Sequence, residues 1–208
     1  MKLKFKTLKP WSAALMLAPT LFTFSANAAV VFDSTGNNQD DDWEISSFGS
    51  ASQLFTSDSE AGVISGLKLN FYYEAFSVAT YTAQLFSDNS GAPGALLGTI
   101  ATGSLTHNSA FNLYDVSLAL NQPTLAASTK YWITISTTND GYIFWGSTSG
   151  FDGTGVAANH TLYHDGIYPY SNECFLMQVS VSAVPEPSPL ALAALGGLGM
   201  LWQYRRRK

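Results

Sequence analysis

The chain has a single cysteine, Cys174, among 208 residues. A lone thiol cannot form an intramolecular disulfide, so nothing covalent staples the fold even in an oxidising compartment. Its neighbours Phe175, Leu176 and Met177 mark it as a buried, inert thiol near a strand. Cations are almost as scarce. Lys2, Lys4, Lys6 and Lys9 open the chain and Arg205, Arg206, Arg207 and Lys208 close it, which leaves Lys68 and Lys130 for everything between. Residues 29–184 set those two cations against fourteen acids, a net charge of −12. Such a surface repels phosphate backbones and excludes nucleic acid as a partner. Long apolar runs are missing except at the two ends. No window of eleven or more residues between the ends carries the i, i+3, i+4, i+7 stripe of an amphipathic helix. Catalytic signatures are lacking too. Gly146-Ser147-Thr148-Ser149-Gly150 has threonine where a nucleophile elbow needs serine, and no glycine-rich phosphate loop follows a strand.

The two ends do carry information. Lys2 to Lys9 form a positive segment, Trp11 to Phe24 an apolar one, and Ala26-Asn27-Ala28 a small-x-small site. This is the pattern of a secretory signal peptide over residues 1–28, cleaved before Ala29. At the other end Pro185-Glu186-Pro187 precedes an apolar stretch from Ser188 to Tyr204 and then Arg205, Arg206, Arg207 and Lys208. At ~1.5 Å per residue a helix over that stretch spans about 25 Å, marginal for a bilayer core of about 30 Å. Basic flanks stay cytoplasmic, so the folded part faces the opposite side.

The order Pro-Glu-Pro, short glycine-containing apolar helix and terminal arginine cluster closely resembles the PEP-CTERM sorting signal, over residues 185–208. The resemblance implies a substrate of an exosortase, a membrane-embedded cysteine transpeptidase-like enzyme. That enzyme would recognise Pro185, Glu186 and Pro187, remove the helix and its basic tail, and pass the protein to the cell surface of a Gram-negative bacterium.

Between the ends, residues 29–184 alternate. Leu67, Leu69, Phe71 and Tyr73 share one face, and Lys68, Asn70, Tyr72 and Glu74 the other. Tyr114 to Leu120, Tyr131 to Ile135 and Phe175 to Val181 repeat the pattern. Weaker strand signals lie at 30–33, 43–48, 51–56, 80–86, 96–101, 142–145 and 160–163. Turn residues separate them, among them Asp88-Asn89-Ser90-Gly91, Pro93-Gly94 and Asn139-Asp140-Gly141. The last of these predicts a hairpin between the strands on either side of it. Roughly ten short strands predict an all-β, two-sheet antiparallel sandwich of jelly-roll type in one domain. Residues 50–150 also resemble the choice-of-anchor domains, through Leu85-Phe86, the turn from Ser87 to Gly94 and the Tyr131-Trp132 strand. That family implies an extracellular β domain carrying a sorting signal, and no particular activity.

Candidate sites are few. His160 and His164 have the HxxxH spacing of zinc ligands, but four residues of strand span about 13 Å, too far for one ion. Asp40, Asp42 and Glu44 fall on one side of an extended segment and could offer oxygens to calcium, against the alternative of a solvated acidic loop. Trp145, Tyr168 and Tyr170 are the candidate glycan contacts, and the run Tyr163 to Tyr170 reads as a long loop. No other cofactor is expected. The expected function is a non-enzymatic structural or adhesive role in biofilm or exopolysaccharide, with exosortase, the membrane and that polysaccharide as partners. The alternative is a carbohydrate-binding module, with or without the assistance of calcium, and a polysaccharide hydrolase ranks third, since it needs two facing carboxylates that sequence cannot pair.

Overall fold

The computed structural model describes residues 28–73, 78–108, 110–137, 142–164 and 168–184, with the single positions Gln203 and Arg206. Two sheets carry these residues, and every strand pairing is antiparallel. The first sheet runs β1 (Ala28–Asp33), β13 (Met177–Ala183), β4 (Gly62–Tyr73), β9 (Ile143–Thr148), β12 (Cys174–Phe175). In it β2 (Asp41–Ile45) joins β9 and β7 (Asn112–Asp115) joins the other edge of β4. The second sheet runs β11 (Tyr168–Tyr170), β10 (Leu162–His164), β3 (Ala51–Thr56), β8 (Lys130–Thr137), β5 (Ala79–Asp88), β6 (Pro93–Leu105).

Alternation supplies the core, as the sandwich reading requires. Leu67, Leu69, Phe71 and Tyr73 of β4 point inward, facing Ala83 and Leu85 of β5 and Ile133 and Ile135 of β8 in one continuous apolar cluster. The turn at Asp88 to Gly91 joins β5 to β6 as its residues imply. Ser90 and Gly91 both have positive φ, the Gly91 amide donates to Asp88 Oδ1 at 3.1 Å, and Asp88 pairs with Pro93.

Three details depart from the sequence pattern. The strands flanking Asn139-Asp140-Gly141 do not form a hairpin. β8 pairs with β3 and β5, whereas β9 lies in the other sheet on β4, β2 and β12, so the chain crosses between layers there. Residues 138–141 themselves fall outside the described ones. The strand expected from Tyr114 to Leu120 stops at Asp115, and its continuation meets β6 through the isolated Ala101–Leu118 bridge and the Ala119 amide, which donates to the Ile100 carbonyl at 2.8 Å. The loop expected from Tyr163 to Tyr170 contains the short β10–β11 ladder, with His164 opposite Tyr168.

β1 is fastened by its last residue. Asp33 Oδ1 accepts from the Thr35 amide and hydroxyl at 3.0 and 2.6 Å, and Oδ2 accepts from Gln178 Nε2 on β13 at 2.7 Å. Burial alone would raise the Asp33 carboxyl, but these bonds and the charge of Lys68 outweigh it and hold it below the ordinary carboxylate range. A depressed folded value means stability that is present above the unfolded pKa of about 3.9 and is lost as pH falls through the folded one. Denaturant midpoints are therefore expected to fall steeply below about pH 4. Asp33→Asn should be less stable at pH 7 and show a flatter acid limb. An acid limb unchanged by the substitution would remove Asp33 from this account.

Candidate functional site

The two ends of the sandwich leave it side by side. β1 begins where β13 finishes, with Ala28 opposite Ser182 and Ala29 opposite Val181. Beyond Ala183, which pairs with Gly62, the Val184 amide still donates to the Ala61 carbonyl at 3.2 Å. Pro185 is the next residue, so no slack separates the last pinned backbone group from Pro185-Glu186-Pro187. Those three residues, Ala26, Arg205, Arg207 and Lys208 lie outside the described residues, and Arg206 is exposed. The apolar segment 188–204 lies outside them too, apart from Gln203, and among the described residues no helix is long and apolar enough to cross a membrane. Ala28 and Ala29 are both inside the β1–β13 ladder.

The acidic cluster divides between unrelated jobs. Asp40 Oδ2 accepts from the Ser149 hydroxyl at 2.6 Å and the Ser149 amide at 2.9 Å, which fixes the loop after β9. The Ser149 side chain, then its amide, hold the Asp40 carboxyl below its usual range. Asp42 and Glu44 do share a face of β2, and partial burial followed by the nearby Asp41 charge raises the Asp42 carboxyl. Asp40 does not join them. Among the described residues no three His, Cys, Asp or Glu side chains are placed to hold a metal ion, so the calcium grouping of Asp40, Asp42 and Glu44 is not formed.

Of the three candidate glycan contacts, Trp145 is misplaced. It has 0% exposure, its ring stacks on Phe175 at 4.2 Å, and its Nε1–H donates to the Leu176 carbonyl at 3.2 Å. β9 turns Ile143, Trp145 and Ser147 inward together, so a sugar cannot reach this ring. Tyr168 lies on β11. Tyr170, 36% exposed, packs on Trp43 at 4.5 Å. His164 meets the same indole at 5.0 Å, and Trp43 Nε1–H donates to Glu173 Oε2 at 3.2 Å. This group joins β2 of one sheet to β10 and β11 of the other and closes the open side of the sandwich. His160 instead stacks on Phe151 at 3.8 Å, so the HxxxH pair serves two separate structural contacts. Trp43 and Glu173 were not legible as partners, because 130 residues separate them and only the sheet order brings them together.

Cys174 is fully buried in β12. Burial pushes its thiol up to about 12, opposed by a hydrogen bond with Ser34 and helped by the charge of Glu173. Iodoacetamide at pH 8 is expected to leave the native protein unlabelled and to modify Cys174 fully in denaturant. Rapid native labelling would contradict this burial.

A shallow depression of about 450 Å³ is lined by Ser87, Asp88, Leu97, Thr124, Thr129, Lys130 and Tyr131. Its one carboxylate already accepts from Trp132 Nε1–H at 2.8 Å and from the Gly91 amide, both on Oδ1. One carboxylate engaged in a turn does not make the facing pair that glycoside hydrolysis requires.

Comparison with known proteins adds one assignment. Residues 183–207 match the family model described as the PEP-CTERM protein-sorting motif. No curated protein matches the chain. Among solved structures, a cysteine-to-alanine variant of the clostridial cysteine protease Cwp84 after propeptide cleavage is similar at 14% identity and a TM-score of 0.46. The likeness covers 68% of this chain and 38% of that one.

Proposed function

We propose that this chain, an exosortase-sorted exported protein by its PEP-CTERM motif at residues 183–207, displays a non-enzymatic sandwich in the cell-surface or matrix layer. Its role there is structural or adhesive, in biofilm or exopolysaccharide. The observation that carries this reading is the junction: the sorting motif begins on the last residue of β13, and Val184 is still bonded to Ala61. Removal of the tail at Pro185-Glu186-Pro187 would leave a domain whose own sheet residues form the point of attachment or release. The net charge of −12 over residues 29–184 favours uncharged or cation-bearing neighbours. The likeness of residues 50–150 to choice-of-anchor domains points the same way. A carbohydrate-binding role is the second reading, favoured by aromatic side chains that remain half-exposed on the sandwich surface. Fractionating cells that make the intact chain tests the first reading: the sandwich should be found with surface or matrix material, and its exclusive recovery from cytosol would refute it.

A further inference from the structure

The outer face of the first sheet carries a row of rings that the core does not use. Leu67, Leu69, Phe71 and Tyr73 of β4 are buried, so Lys68, Asn70 and Tyr72 look outward. Register fixes their neighbours. Lys68 stands opposite Asp115 on β7, with Nζ to Oδ1 at 3.5 Å, and Asn70 stands opposite Leu113. On the other side Tyr72 stands opposite Phe144 of β9, and Phe144 opposite Glu44 of β2. Phe111, just before β7, completes the row. Its ring centroid lies 5.4 Å from Tyr72, and Tyr72 lies 5.7 Å from Phe144. All three rings are half-buried, with exposed Leu113 beside them. The next row holds Asn70, then Gly146, then Asp42 opposite Gly146. A Cβ at 146 would lie 3.2 Å from the Gln39 side chain and 3.3 Å from Asn70 Oδ1, so two amides converge there. Asn70 Oδ1 is buried beneath this row, without a hydrogen-bond partner among the described residues.

We propose that this face binds a neutral polysaccharide. Ring faces stack on the apolar C–H faces of sugars, while carboxylates and amide oxygens accept from hydroxyls. Here the rings of Phe111, Tyr72 and Phe144 are bordered by the exposed carboxylates of Glu44 and Asp42. Charge selects among occupants. Asp42, Glu44 and Asp115 lie on this face, and its cation, Lys68, is paired with Asp115. Anionic polymers, anionic membranes and a second copy of the same acidic face are each disfavoured. The assignment rests on the adhesive reading for its setting only, since binding by purified protein does not depend on how the protein was sorted.

The test uses the exported protein purified from cells, run in native gels containing hydroxyethyl-cellulose, glucomannan or starch, with alginate and anionic vesicles as contrasts. Retardation by at least one neutral polymer is expected. Tyr72→Ala and Phe144→Ala should weaken it roughly tenfold each, as loss of a central binding contact does. Leu113→Arg, at an exposed position on an edge strand, should weaken it even if the aromatic variants fold poorly. Leu120→Ala, fully exposed elsewhere, should not. No retardation by any neutral polymer, equal retardation of all variants, or binding to alginate, vesicles or a second copy instead would overturn the proposal. Surface delivery of Tyr72→Ala, followed in the same cells, should remain normal, and its loss would count against the sorting account and not against sugar binding.

Discussion

Trp145→Ala is expected to remove about 3–5 kcal/mol of stability, the range for large-to-small substitution of a buried tryptophan. Three losses combine at this site. The indole stacks on Phe175 at an interplanar angle of 11° and meets Phe71 edge-on at 5.9 Å, so both rings lose a packed face. Its Nε1–H donates to the Leu176 carbonyl at 3.2 Å, and alanine loses that bond, leaving the carbonyl only the Asn70 amide at 3.1 Å. The position also joins β9 to β4 through the Phe71–Trp145 pair and to β2 through the Trp43–Trp145 pair. Domains are stable by only about 5–15 kcal/mol, so the variant should melt far below the wild type or fail to accumulate. Tyr170→Ala, at a 36% exposed ring, should cost much less. Urea unfolding of both variants checks this. A stable Trp145→Ala protein that had lost only ligand binding would restore the surface role that its burial denies.

Replacing Pro185, Glu186 and Pro187 together by alanine is expected to abolish tail removal, leaving chains that end at Lys208 and stay with the membrane fraction. The three residues are the part of residues 183–207 for which the matched motif is named, and they follow immediately on a backbone pinned to Ala61. The sandwich itself should keep its wild-type melting behaviour, because Pro185 lies one residue past the last bonded position, Val184. Membrane retention with unchanged stability separates a processing defect from a folding defect. Normal processing of the triple variant would remove the exosortase assignment.

The core was legible because β4 alternates without interruption. Leu67, Leu69, Phe71 and Tyr73 announced the inner face, and the same alternation had already put Lys68, Asn70 and Tyr72 on the outer one. The Asp88 to Gly91 turn was legible because its residues suit positive φ whatever the tertiary setting. The layer change after β8 was not, since turn residues permit a sharp reversal without stating whether the next strand pairs locally or crosses to the opposite sheet. Trp145 misled for a similar reason. Period 2 assigns it the same face as Ile143, but only pairing with Phe71 and Trp43 reveals that this face looks inward. Asp40 illustrates the limit for acidic clusters: its bonds are to Ser149, 109 residues away, and no local spacing contains that contact.

Intact-mass spectrometry of the protein recovered from the surface of the cells that make it tests the sorting account most directly. The expected species begins at Ala29 and ends within or next to Pro185-Glu186-Pro187, with residues 188–208 absent. A surface species still carrying Arg205 to Lys208, or a full-length chain confined to the cytosol, would contradict it.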